Sequence, residues 1–108
     1  MSMPVSREAV VIMQGQPKAW SRTGDSGREV VCLFCEDCGT RLFHNPARNP
    51  QITNLKPGTL DDTSWFQPVA HQWTKSAQAW VSIPENPLNC EGQVEDSSPL
   101  FERWQQRQ

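Results

Sequence analysis

Long apolar runs are missing from this 108-residue chain. None approaches the roughly 20 residues that cross a bilayer, and residues 1–13 lack the apolar stretch of a secretory signal. Charge of one sign is scarce as well. Ten Lys and Arg against twelve Asp and Glu give a formal net charge of -2 and a pI near 5.6. Without a basic field to hold phosphate backbones, a nucleic-acid partner is not expected, and neither is a membrane. Apolar residues make up only 36% of the chain and nine prolines interrupt it, which excludes long helices and leaves short strands joined by turns around one thin core. A soluble cytoplasmic protein is the expectation.

Cysteine is sparse but unevenly placed. Cys32, Cys35 and Cys38 fall within residues 32–38, whereas Cys90 stands alone in a polar stretch. Such clustering suits a metal or a redox dithiol in a reducing compartment better than a disulfide framework, and the lone Cys90 reads as an incidental thiol.

β-branched and apolar residues bounded by Gly, Pro and Asp predict strands over 8–13, 18–21, 28–34, 40–44, 51–55 and 77–83. Residues 45–50 carry too many breakers for regular structure. Ser98-Pro99 has the chemistry of a helix start, with Ser98 as N-cap, and Leu100, Phe101 and Trp104 share a face at helical spacing. The fold expected is mainly β, a small antiparallel sheet with a metal knuckle and a short C-terminal helix. Residues 1–83 form the β domain, and residues 84–108 a polar connector and that helix.

The knuckle is the stretch Cys35-Glu36-Asp37-Cys38-Gly39 at a hairpin tip. Zinc takes four tetrahedral ligands, and two thiolates two residues apart reach one ion because a tight turn brings both sulfurs to about 2.3 Å from it. Cys35 and Cys38 are therefore the expected metal ligands. Cys32 ranks behind them, since three residues along a strand reverse the side-chain direction and favour a small apolar role in the core. His44 and His71 are further nitrogen donors to weigh. No second Cys-x-x-Cys or Cys-x-Cys pair exists, so half of a structural site is unaccounted for. A ferredoxin-type cluster is a weaker reading, because Leu42 stands where a further cysteine is needed, and so is a thioredoxin-like dithiol, because nothing here supplies a βαβ pattern.

Several stretches together carry a resemblance. They are Gly15 to Trp20 (Gly-Gln-Pro-Lys-Ala-Trp), Gly27 to Val31, Phe34-Cys-Glu-Asp-Cys-Gly-Thr40 continuing to Phe43, Pro57-Gly-Thr-Leu-Asp-Asp62, and Pro68 to Trp73. In order and spacing this chain resembles the glutathione-dependent formaldehyde-activating enzyme family, including its centromere protein V-like members, over about residues 8–83. The resemblance implies a tent-like, zinc-dependent β domain and carbon-sulfur lyase chemistry on the adduct of glutathione and formaldehyde. Cys35 and Cys38 match the second half of the family's structural zinc site. The family's Cys-x-Cys half and its catalytic-zinc cysteines have no counterpart here, so the chain reads as the C-terminal portion of the domain. No catalytic residue is assigned, and independent lyase activity is not expected. Either a second copy or another chain, or sequence upstream, supplies the missing thiolates. The alternative is a non-catalytic structural zinc-binding or dimerisation module.

Two further readings remain structural. Asp61 and Asp62 are expected to bond to nearby amides of their turn, not to share a catalytic proton. Trp73 and Trp80 are expected to pack in the core before they line a groove.

Overall fold

The computed structural model describes residues 1–107, which form two compact units that divide between Trp65 and Phe66. The first unit is one open antiparallel sheet. Its strands are β1 (Met3–Ser6), β2 (Lys18–Thr23), β3 (Glu29–Phe34), β4 (Arg41–Pro46) and β5 (Ile52–Leu55), in the order β1-β5-β4-β3-β2. The expected strands over 18–21, 28–34, 40–44 and 51–55 are all present, which makes the chain mainly β as anticipated. β4 runs on through Asn45 and Pro46 despite the breakers. Pro46 pairs with Val30 at the strand end, where a lost N–H disturbs least.

The strand expected over 8–13 does not form. Residues 3–6 take the free edge of β5 instead, with Val5 opposite Thr53, and Arg7–Ala9 then turns as a single 3-10 turn. Arg7 donates its backbone N–H to the Gln51 carbonyl at 2.8 Å and its guanidinium to the Ile52 carbonyl at 3.0 Å. This leaves Val11, Ile12 and Met13 without a partner strand, 69%, 48% and 89% exposed. Strand propensity is expressed only where a ladder is available, and the free edge of β5 was already taken by residues 3–6.

Alternation divides the sheet into two faces. Met3, Leu55, Phe43, Leu33 and Ala19 stand opposite one another across all five strands on one face, with Val5, Thr53, Asn45, Val31 and Ser21 in the next row. The other face carries Trp20, Cys32, His44 and Asn54 in one row. Thr53 and Cys32, each 1% exposed, are the most deeply buried side chains described. A bulge between Leu33 and Phe34 sets Phe34 opposite Arg41, and the Leu42 carbonyl accepts the Lys56 N–H at 2.9 Å. The bulge aims Arg41 onto the Cys32 face.

In the second unit Gln72 bridges Cys90, the Cys90 N–H reaches the His71 carbonyl at 2.9 Å, and Trp73 and Thr74 donate to Gly92 and Cys90. The strand expected over 77–83 is absent. Val81 donates to the Gln78 carbonyl in a turn, and Trp80 is 83% exposed instead of packed. Helix α1 (Ser98–Gln106) confirms the C-terminal helix, shifted by one residue at its start. Ser97 holds the N-cap position without a side-chain bond, and Asp96 accepts the Ser98 N–H at 3.0 Å in its place. At its other end Arg107 donates to the carbonyls of Gln67 and Pro68. No helix among the described residues is long and apolar enough to cross a membrane.

Candidate metal centre

The β3–β4 connection closes in five residues. Cys35 donates its N–H to the Thr40 carbonyl at 2.9 Å, and Gly39 donates to the Cys35 carbonyl at 2.8 Å. The second bond needs Gly39 at φ +76°, a left-handed angle that an ordinary side chain resists. This turn folds Cys38 back towards Cys35, close enough for the Cys35 thiol to help lower the Cys38 pKa. Cys38 is exposed and Cys35 half-buried.

Cys38 is also prepared as a thiolate. Thr40 Oγ1 lies 3.2 Å from its sulfur. The Thr40 hydroxyl first, then the Thr40 backbone N–H and the Cys35 thiol, hold the Cys38 pKa below the usual thiol range. Hydrogen bonds to the charged form favour it, and the thiolate is the species that both metals and electrophiles meet. In the reduced, metal-free chain iodoacetamide should therefore alkylate Cys38 well before the buried Cys32. Thr40→Val should slow alkylation at Cys38 by about two- to fourfold, the gain in thiolate fraction being partly offset by its lower nucleophilicity. Timed alkylation with peptide mass spectrometry measures this, and equal rates in both proteins would show that the hydroxyl does not matter.

The two thiols suit half of a tetrahedral zinc set. No group of three or more His, Cys, Asp or Glu side chains placed to hold a metal occurs among the described residues. Cys32 is not brought to the knuckle: it is buried, and its sulfur lies 3.8 Å from Arg41 Nη1. His44 shares the row of Cys32, and His71 is an exposed residue of the second unit. Asp62 accepts both the Ser64 N–H at 2.9 Å and its hydroxyl at 2.6 Å, which is the turn role expected of it, and the hydroxyl chiefly lowers its pKa.

His44 has a different character. Its Nε2 is buried without a hydrogen-bond partner, and its pKa falls to about 4, first through burial and then through Lys56, Arg41, Arg22 and the amino group of Met1. A base whose folded pKa lies below its unfolded value of about 6.5 stabilises the fold above that value. That stabilisation is lost as pH falls from about 6.5 towards 4. With solvent screening of this partly exposed ring, the loss is roughly 1–2 kcal/mol. Urea midpoints at pH 7.5 and 4.5 should fall further apart in the wild type than in His44→Gln, and parallel slopes would refute the assignment. The cations around His44 were not legible as a site in the sequence. The available signal was the alternation that puts Trp20 and Arg22 on one face.

No curated protein and no solved structure matches the chain. The family model described as glutathione-dependent formaldehyde-activating enzyme matches residues 1–76, which takes in the whole sheet and the Cys35–Cys38 hairpin. The chain therefore belongs to the glutathione-dependent formaldehyde-activating enzyme family.

Proposed function

We propose that Cys35 and Cys38 form one half of a structural zinc site, and that the remaining two sulfurs come from a second copy of the chain. The observation that carries this reading is the hairpin itself. It presents two adjacent thiols, one with a lowered pKa and exposed to solvent, with no third donor beside them among the described residues. Two such tips related by a twofold axis supply four thiolates, the donor set of a closed structural zinc site, and twofold symmetry is the commonest arrangement of small oligomers. A closed site of this kind leaves no position for substrate. The chain by itself is then a structural, zinc-joined module of its family and not a lyase.

Metal analysis of protein purified without added zinc, together with solution mass by light scattering, tests this. One zinc per two chains in a dimer is the expected result, and a metal-free monomer would end the proposal. Family membership supports a second reading, in which a different chain bearing a Cys-x-Cys pair and a catalytic cysteine cluster completes both centres and turns over the glutathione–formaldehyde adduct. On that reading lyase activity is absent from the chain alone and appears on mixing.

A further inference from the structure

The Trp20–Cys32–His44 face of the sheet concentrates positive charge in a chain whose net charge is -2. Arg22 follows Trp20 by two residues on β2, and so stands on the same face. Arg41 lies over that row, 5.9 Å from the centroid of the Trp20 ring and 3.8 Å from Cys32 Sγ. Lys56 follows Asn54 of the same row by two residues and donates Nζ to Ser2 Oγ at 3.2 Å. Every charge that His44 feels is positive. Lys56 also has its pKa lowered, by burial first and by Arg41 and Arg22 after it, with the Cys32 sulfur opposing them. The nearby carboxylate of Glu29 belongs to the opposite face, where it accepts from Ser21 at 3.3 Å.

Cations gathered in this way repel one another, and proteins ordinarily interleave carboxylates among them. Here the donors are in surplus. Arg41 spends its guanidinium on a ring face and a weakly accepting sulfur, and Arg22 has no hydrogen-bond or ion-pair partner among the described residues. Arg22 and Arg41 are exposed, Lys56 and the His44 ring half-buried, and Trp20 is 52% exposed beside them. An oxyanion presents the charged acceptors that the two guanidinium groups lack, and a counter-charge for Lys56, whose Nζ otherwise meets only the neutral Ser2 hydroxyl.

We propose that this face binds a small oxyanion, a carboxylate or a phosphate, between Arg22, Arg41 and Lys56, with the His44 imidazole at its floor. The two forks grip oxygens and Lys56 supplies a point charge. The bound charge offsets the repulsion from these cations, which adds to burial in keeping His44 neutral. The site is separate from the Cys35–Cys38 hairpin and does not depend on zinc.

The full chain, labelled with ¹⁵N and ¹³C, is titrated with succinate, with inorganic phosphate and with sodium chloride at matched ionic strength. Saturable shifts are expected at the Trp20 indole and at the amides around Arg22, Arg41 and Lys56 in at least one oxyanion arm. The arm that saturates at the lower concentration identifies the source. The His44 ring should report the same event, its apparent pKa rising by about one unit or more once a negative charge sits beside it. Arg22→Gln and Arg41→Gln should each weaken binding by about tenfold, the scale of one charge-assisted hydrogen bond, while ligand-free spectra overlay the wild type away from the substituted residue. Shifts that chloride reproduces at equal ionic strength would overturn the proposal. So would well-folded variants that bind as tightly as the wild type.

Discussion

Cys35→Ser is expected to cost the zinc-loaded protein at least ~3 kcal/mol, because a structural zinc site contributes its binding free energy directly to folding. For a domain of this size that loss lowers the melting temperature by roughly 15 °C or more. A chelator should do the same to the wild type and leave Cys35→Ser unmoved, since both treatments remove one interaction. The small core sharpens the effect. Only Cys32, Thr53 and Pro57 are buried among the described residues, so an open sheet has little apolar burial with which to absorb the loss. Thermal melts with and without chelator decide the matter. If Cys35→Ser melts with the wild type under both conditions, the two cysteines are free thiols and the sheet stands without metal.

Thr53→Val should be the most damaging conservative change in the sheet itself. Thr53 is 1% exposed and donates its hydroxyl to Asn45 Oδ1 at 2.7 Å, tying β5 to β4 on the face opposite His44. Valine matches the shape and favours the strand, yet it leaves the Asn45 oxygen without its donor, at a cost of ~1–3 kcal/mol. The double variant Thr53→Val with Asn45→Leu removes both polar partners and should recover much of that cost. Urea denaturation of the single and double variants measures the coupling. Additive losses would mean that the bond contributes little.

Four of the five strands were legible because their β-branched and apolar runs lie between strong turn residues, and both signals are local. β1 was not. Met3 to Ser6 has no striking strand composition, with Pro4 at its second position, and forms a strand only because β5 offers it an open edge. The same edge explains the opposite error at Val10 to Ile12, whose strand preference is strong and whose partner is absent. The tryptophans show the limit of composition in another way. Trp80 has the largest apolar side chain and lies 83% exposed, since the turn at Gln78 to Val81 gives it nothing to pack against. The site divides along the same line. The Cys-x-x-Cys spacing and Gly39 are contiguous and could be read directly, and so could the matching turn role of Asp62. The group around His44 could not, because Arg22, Arg41, His44 and Lys56 sit on two strands and the exit of a third, and only the register places them together.

The sequence by itself determined the hairpin tip that carries Cys35 and Cys38, the mainly β class, the helix from Ser98 and the family, all of which depend on residues close together in the chain or on their order along it. Only the tertiary structure decided which segment takes the free edge of β5, that the bulge at Leu33 and Phe34 sets Arg41 over Cys32, and that one face gathers cations around His44. Strand pairing is a contest among distant segments for the same backbone partners, and its outcome is written in hydrogen-bond geometry, not in local propensity.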